Sequence, residues 1–539
     1  MNESTMRKGF LNRDRFLRIL ENINTWDIVI VGGGATGLGI ALDSAYRGYK
    51  TLLLEQNDFS KGTSSRSTKL IHGGIRYLAQ GNIKLVYEAL QERGFLLKNA
   101  PHLVKKKRFV IPIFSWKTGV FYWTGLKIYE WLSGSLSFGN SQFLSKNEIL
   151  KMFPEIRPNN LKGGILYYDG QFDDARLAID LAQTCVQQGG VLLNYFKVKN
   201  LIKKIENKIS GVIAYDLETK KKYSIYSKVV INATGVFSDS ILKMDDSTCP
   251  ILIKPSQGTH IVLKKSFFSS SDAIVIPKTS DGRILFSIPW YDHVLVGTTD
   301  TFLDKSILEP KPLEKEIDFI LQTFNQYFVY NPKKKDILSA FSGLRPLFVP
   351  PNLSYSPAKE ISRSHKLMIS PSGLVTIIGG KWTTYRKMAE ETVNKAIEIG
   401  KLNKVSSGTK NLKIFASRNS SSSCKNYNNL GDKYGKVEFH IQKLIEENPL
   451  WGSPLISQSP YYCTKAEVIW MVRYEMARTI EDVLARRFRL LFLNAKIAID
   501  IAPIVASLMA KELSLDEEWE ESQIASFKEL AMQYYYPVV

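Results

Sequence analysis

Gly32, Gly34 and Gly37 form G-x-G-x-x-G directly behind the apolar run Trp26–Val31, and no other block constrains the fold as much. The run reads as a buried strand, residues 35–47 as a helix rich in small side chains, and residues 50–54 as a second strand, so the chain opens with a βαβ unit. Gly32 permits a tight turn, Gly34 lets backbone approach a pyrophosphate, and Gly37 lets the helix pack closely on the sheet. The helix N-terminus, with its unpaired N–H groups and positive dipole end, suits an anion. Glu55 ends the second strand at roughly the 20-residue offset where a carboxylate accepts from a ribose hydroxyl. A carboxylate there disfavours a phosphorylated ribose, which leaves FAD or NAD ahead of NADP; a purely structural glycine turn is the alternative.

The rest of the nucleotide domain is expected from distant segments. Residues 229–231 and 374–378 are apolar runs that end in Ala233-Thr234-Gly235 and Gly379-Gly380, as strands feeding tight turns do. Short β-branched runs at 191–193, 211–215, 259–263 and 283–288 predict an antiparallel sheet inserted between them. Residues 404–429 are rich in Ser, Asn and Lys and include Ser420 and Ser423, a linker-like composition. Beyond it Ile469, Val472, Met476, Ile480 and Val483 recur at helical spacing, predicting one long helix with Arg473 and Arg487 outside its apolar stripe. The organisation is therefore read as α/β. A 1–25 extension precedes a nucleotide domain over 26–400, interleaved with a cap at roughly 100–170 and 250–360; a 401–428 linker and a helical 429–539 domain follow.

Composition narrows the partners. Lys+Arg of 72 against Asp+Glu of 52 leaves +20, which favours membrane lipid, nucleic acid or a phosphorylated substrate. No stretch approaches about 18 uninterrupted apolar residues, because Lys127 and Glu130 interrupt an aromatic segment and Asp500 a late apolar one. Cys185, Cys249, Cys424 and Cys463 show no paired spacing, so neither disulfides nor a metal site is expected. The first 25 residues lack the apolar core of a secretory signal, while an organellar transit segment stays open. Phe121, Tyr122, Trp123, Tyr129 and Trp131 crowd one segment behind Lys105, Lys106, Lys107 and Arg108. That pattern suits an anionic lipid surface and, equally, a buried aromatic segment with a solvated basic turn.

The blocks V-G-G-G-A-T-G-L-G-I-A-L-D, S-S-R-S-T-K-L-I-H-G-G-I-R-Y-L, F-D-D-A-R-L, I-P-W with G-T-T-D, S-G-L-R-P-L and G-G-K-W-T-T-Y-R-K-M-A-E occur in this order. In content and order they resemble the FAD-dependent glycerol-3-phosphate dehydrogenases. R-Y-E-M-A-R-T-I-E-D-V-L-A-R-R is similar to that family's helical cap, so the resemblance runs from about Trp26 to Asn494. Arg66 and Trp382 depart from it, standing where the family often has Ser and Leu. The resemblance implies a glutathione-reductase-like Rossmann FAD domain, an interleaved antiparallel β substrate domain and a C-terminal α-helical domain. It further implies oxidation of glycerol 3-phosphate, electron transfer to a membrane quinone, and peripheral attachment to an anionic membrane surface, with a homodimer as an option. No D-x-[DN]-x-[DN]-G loop is found, so the chain looks like the bacterial form at the cytoplasmic face of the inner membrane, with the mitochondrial inner membrane as alternative. Other readings are a glycerol-3-phosphate oxidase using O2, an amino-acid oxidase of the same broad fold, and a tRNA-associated flavoprotein, although no nucleic-acid partner is expected.

Oxidising a secondary alcohol requires hydride removal from carbon, proton removal from oxygen and, for this substrate, a clamp on a dianionic phosphate. Arg345, in S-G-L-R-P-L, is the first candidate for that clamp because Arg makes bidentate contacts. Arg76, Tyr77, Arg363, Lys381 and Thr384 are its candidate companions. His260, at the beginning of a strand, is the candidate base, an ordinary imidazole pKa being about 6.5; a satisfied structural histidine is the alternative. Cofactor contacts are expected from Gly32, Gly34, Thr36, Gly37 and Glu55, from Thr63, Ser64, Ser65, Lys69, His72, Gly73 and Gly74, from Ala233, Thr234 and Gly235, and from Gly379, Gly380 and Thr383. Residues 63–77 read by themselves equally as a flexible loop, and the resemblance assigns them to the flavin. A helix beginning near Thr383 would aim its positive end at the flavin N1 and C2 carbonyl region and stabilise reduced anionic flavin.

Overall fold

The computed structural model describes residues 6–78, 81–277, 279, 282–350, 364–418, 430–456 and 461–536. The strands Trp26–Val31 and Thr51–Leu54 run parallel on either side of the helix Ala35–Tyr46, forming the βαβ opening. Both strands are covered on two faces, and this is why Ile28 to Ile30 and Leu52 to Leu54 are unbroken apolar runs and not alternating ones. The full path of this sheet is Lys366–Ile369, Val375–Ile378, Lys222–Asn232, Trp26–Val31, Thr51–Leu54, Val191–Leu193. Of the two apolar runs that precede the small-residue turns, 229–231 therefore lies beside the glycine-motif strand and 375–378 one strand further out. The helix Ala35–Tyr46 packs on the helices Asp174–Gln187 and Tyr385–Gly400. Small residues permit that approach: a Cβ on Gly39 would lie 2.8 Å from Tyr385 Cδ2.

Two of the runs expected in the inserted antiparallel sheet belong to this nucleotide sheet instead. Val191–Leu193 extends it in parallel beside Thr51–Leu54. Residues 211–215 lie in Ile209–Asp216, the centre of a meander with Phe196–Lys203 and Lys222–Asn232. Apolar alternation identifies the faces of a strand but not the sheet it joins.

The second sheet follows the order Thr301–Phe302, Ile253–Lys264, His293–Gly297, Leu285–Trp290, Ala273–Ile276, Val104–Ile113, Gly163–Phe172, Leu70–Ile71. Ser339–Phe348 adds to Ile253–Lys264, and Gln142–Ser145 to Gly163–Phe172. One face is closed by the helix Glu314–Tyr327 through Ile317, Ile320 and Phe324. Lys105 to Arg108 form part of the strand Val104–Ile113 and not a solvated turn, with Arg108 Nε donating to Asp272 at 2.8 Å. Because Leu70–Ile71 carries the chain onto this sheet, residues 63–74 pass between the two sheets.

The C-terminal body contains the helices Glu438–Glu447, Lys465–Glu475, Ala495–Leu513 and Glu517–Ala531. The expected single helix across 469–483 stops at Glu475. Met476 is left-handed with φ 52°, and the chain resumes as the π-helical segment Asp482–Arg487. This break corrects the placement of Arg487, whose side chain is buried against Asp58, while Arg473 pairs with Glu512 at 2.5 Å. Arg486 Nε also reaches Asp58 at 2.5 Å, and Arg489 Nη2 reaches Asp174 at 2.8 Å. Arg176 meets Glu475 at 2.9 Å from the opposite direction. The interface between the bodies is thus a set of buried, hydrogen-bonded ion pairs, whose rupture from one side costs about 3–5 kcal/mol each.

Candidate active site

A continuous cavity of about 860 Å³ runs from Glu55 and Phe196, past the glycine turn, to one face of the second sheet. At the turn Gly32 has φ 110°, a conformation that disfavours any side chain. Gly34 and Thr36 line the cavity. Gly37 does not, because a Cβ there would collide with the Gly32 carbonyl; its place is in helix packing and not in cofactor contact. Glu55 accepts from Gly33 N at 2.6 Å and from Asn57 N at 2.8 Å, so its carboxylate shapes the turn as well as facing the cavity. Burial pushes its pKa up, opposed by those two N–H groups. Ser64 Oγ accepts from Ala35 N at 2.9 Å and holds the Thr63–Ser65 turn over the helix start.

The opposite wall follows from strand register. Ser256, Gly258 and His260 share one face of Ile253–Lys264, since every second residue does. Their partners on Ser339–Phe348 are Arg345, Gly343 and Phe341. His260 and Arg345 therefore project from the same face, and glycines leave them room. A Cβ on Gly258 would lie 2.7 Å from Arg345 Cζ, and one on Gly297 2.9 Å from His260 Cγ. Arg345 Nη2 donates to Thr298 Oγ1 at 3.2 Å, and Nη1 lies 3.4 Å from Asp300 Oδ1.

His260 is 2 % exposed and stacks on Phe341, ring centroids 5.2 Å apart. Its Nε2 is 3.0 Å from Thr68 Oγ1, while Nδ1 is buried with no hydrogen-bond partner. Burial, with help from Lys69 and Arg345, holds its pKa well below the ordinary imidazole value. The ring is neutral at pH 7 and therefore able to accept a proton.

Two loops complete the cavity between these walls. His72, Gly74 and Tyr77 line it from one side, and Gly379, Gly380, Lys381 and Thr383 from the other; Thr63, Ser64, Ala233, Thr234 and Gly235 also line it. Lys381 Nζ stands 3.8 Å from the centre of the Tyr77 ring. Gly379 and Gly380 have φ 79° and 84° and lead through the turn Trp382–Thr384 into the helix Tyr385–Gly400. Trp382 Nε1 donates to Ser64 O at 2.8 Å, tying both sides together.

Four expected contacts stand behind the cavity wall. Lys69 is fully buried and paired with Asp174 at 2.7 Å, because its side chain turns towards the C-terminal body. The Ser65 carbonyl accepts from Lys69 and Arg489, both at 2.8 Å. Gly73 gives its N–H to Tyr129, and Thr384 Oγ1 lies 3.3 Å from Lys381 O, inside its own helical turn. The Arg76 side chain and Arg363 lie outside the described residues. The structure adds Thr68, Thr298, Asp300 and Arg66 to the wall. Thr68, Thr298 and Asp300 lie inside quoted blocks, S-T-K and G-T-T-D, but nothing in their spacing marks them as neighbours of His260 and Arg345.

These residues fit a dinucleotide flavin. The cavity is elongated, passes a glycine turn at a helix N-terminus and has a carboxylate at one end, with the stacked His260 and Arg345 at the other. Among the described residues no group of three or more His, Cys, Asp or Glu could hold a metal ion.

The fold and cavity define a flavin-dependent oxidoreductase, and residues 27–386 match the family of FAD dependent oxidoreductases. FAD is the cofactor of this class. Residues 374–520 match the C-terminal domain of alpha-glycerophosphate oxidase. Mitochondrial glycerol-3-phosphate dehydrogenase of Macaca fascicularis is 39% identical over 96% of this chain and 74% of its own length. Glycerol-3-phosphate dehydrogenase from Bacillus halodurans, solved with FAD, superposes with a TM-score of 0.79 at 30% identity, covering 98% of each chain. The chain belongs to the FAD-dependent glycerol-3-phosphate dehydrogenase family. L-alpha-glycerophosphate oxidase from Mycoplasma pneumoniae, with a TM-score of 0.54 at 18% identity over 71% of this chain and 97% of its own, shares the fold alone.

Proposed function

We propose that the chain oxidises sn-glycerol 3-phosphate to dihydroxyacetone phosphate and passes the electrons to a membrane quinone. The observation that carries this reading is the pairing of a neutral, buried His260 with Arg345 on one sheet face, at the end of a cavity fit for FAD. Bound FAD supplies the two-electron acceptor for the hydride leaving C2. Arg345, with Lys381 and Tyr77, holds the phosphate and fixes the distance of C2 from the ring. His260, beside Thr68 on the cavity wall, takes the hydroxyl proton. The wall of Trp382 and Tyr77 excludes water from that transfer.

Anaerobic titration tests the substrate. Glycerol 3-phosphate should bleach the yellow holoprotein, whereas glycerol, glycine and sarcosine should not; bleaching by the amines alone would make it an amino-acid oxidase. The pH profile of the same reduction tests His260. Its pKa is depressed, so the neutral base persists as pH falls, and the acid limb should lie below about pH 6.5 in wild type and disappear in His260→Asn.

The quinone and membrane parts of the reading rest on the helix Trp116–Ser133. Its inner face packs through Leu126, Tyr129 and Leu132, yet Trp116, Val120, Phe121 and Trp131 are 58%, 65%, 58% and 78% exposed. A helix apolar on both sides is built to be covered on both. A lipid surface suits that face in a chain of net charge +20. Among the described residues no helix is long and apolar enough to cross a membrane. A bacterial inner membrane, cytoplasmic face, remains the reading for the surface; the mitochondrial inner membrane stands beside it because the primate relative is named mitochondrial. Phe121→Asp with Trp131→Asp should keep FAD and lower binding to anionic vesicles roughly tenfold per side chain. Undiminished sedimentation with vesicles would reject this face as the docking surface.

A further inference from the structure

The backbone of residues 72–74, which contributes His72 and Gly74 to the cavity, is gripped from two sides. On one side Thr383 Oγ1 accepts from His72 N at 3.2 Å and lies 3.3 Å from His72 O. On the other side stands Tyr129, an inward residue of the helix Trp116–Ser133 that is 4 % exposed. Its hydroxyl accepts from Gly73 N at 2.8 Å and lies 2.9 Å from each oxygen of Asp169. Asp169 accepts in turn from Arg93 Nη1 at 2.6 Å. The contact is close: a Cβ on Gly73 would lie 2.8 Å from Tyr129 Oη and 2.7 Å from Leu90 Cδ2.

The polarity of this chain is fixed. A phenol has one proton and a pair of acceptor sites. Arg93 keeps Asp169 in the role of acceptor, so the Tyr129 proton points to Asp169 and its lone pair is left for the Gly73 N–H. Gly73 N is buried and its other polar neighbour is the Asp169 carboxylate, so an absent hydroxyl removes the 2.8 Å bond and leaves the N–H that contact alone.

We propose that Tyr129 is a positioning residue of the flavin site: its hydroxyl fixes Gly73, and through it the cavity-lining backbone of His72 and Gly74, in the conformation that receives the cofactor ring. Ring packing alone does not require the hydroxyl, so phenylalanine separates the two roles. Holoprotein of Tyr129→Phe is stripped of FAD and titrated with it, and the visible spectrum and midpoint potential of the reloaded protein are recorded. The FAD dissociation constant should rise about tenfold and the flavin bands shift or lose fine structure. Circular dichroism of the apoprotein should match wild type, since the ring remains. Leu132→Ala, which loosens the same helix without touching Gly73, should leave the flavin spectrum in place. An unchanged dissociation constant, spectrum and potential in Tyr129→Phe would overturn the proposal, as would equal spectral changes in Leu132→Ala.

Discussion

Arg345→Ala should remain yellow and lose substrate-driven bleaching, with kcat/KM for glycerol 3-phosphate lower by about 10²–10³-fold. The magnitude is that of removing one partner from a desolvated, charge-assisted pair, about 2–5 kcal/mol. FAD should stay bound because Arg345 stands on the second sheet, with Thr298 and Asp300 as its polar neighbours, away from the glycine turn. Arg345→Lys should fall between wild type and Ala, since a point charge replaces the fork. Stopped-flow reduction with saturation in substrate separates the binding loss from any change in the chemical step. A reduction rate and saturation constant equal to wild type would remove Arg345 from the substrate site.

The second large effect is expected on stability. Asp174 is fully buried and accepts from Lys69, Arg489 and the Ser67 hydroxyl at 2.7, 2.8 and 2.7 Å. Asp174→Ala removes the acceptor that Lys69 and Arg489 share and leaves Arg489 with Asp173 at 3.6 Å, which should destabilise by about 3–5 kcal/mol and release FAD as residues 65–68 lose their anchor. Thermal melting and flavin release read both. An Asp174→Ala protein that melts with wild type and holds FAD equally well would show that the carboxylate is not needed.

The same cluster sets a pH dependence. Burial, set against the Asp174 charge and reinforced by Arg489, brings Lys69 down to about 7, below its ordinary value of 10.5. Between those values the unfolded chain binds the proton and the folded chain does not, so this group makes stability rise with pH from about 7 to 10.5 and stay flat below. Asp174 acts in the opposite range: Lys69 and Arg489 overcome burial and lower its pKa, so its contribution is present above the ordinary carboxylate value of 3.8 and is lost as pH falls through the lowered one. Lys69→Met should abolish the alkaline rise.

Much of this architecture is legible in local pattern. The strand, glycine turn, helix, strand and acid of residues 26–55 are contiguous, and each element has its own signature. His260 and Arg345 carry chemistry in their side chains, so they stand out even though cross-strand pairing of distant segments is what brings them together. The facing of neighbouring residues is less visible. Lys69 and His72 belong to one block, but Lys69 points to Asp174 and His72 to the cavity, a choice made by a carboxylate more than a hundred residues away in sequence. Tyr129 reads as one aromatic among many, and only the fold puts it under Gly73. Residues 191–193 and 211–215 have correct strand character and the wrong sheet, because a strand's partners are tertiary facts. The long helix expected across 469–483 fails for a related reason: its periodicity is real, but Met476 and the π-helical segment divert the chain so that Arg486, Arg487 and Arg489 meet acids of the other body.

Those three arginines have a consequence for modularity. Although the chain looks like a cofactor unit followed by a detachable helical appendix, the appendix provides the counter-ions for Asp58 and Asp174 inside its neighbour. A graft that swaps the appendix between relatives transfers half of an electrostatic lock, and it should yield stable chimeras only when the matching aspartates travel with it.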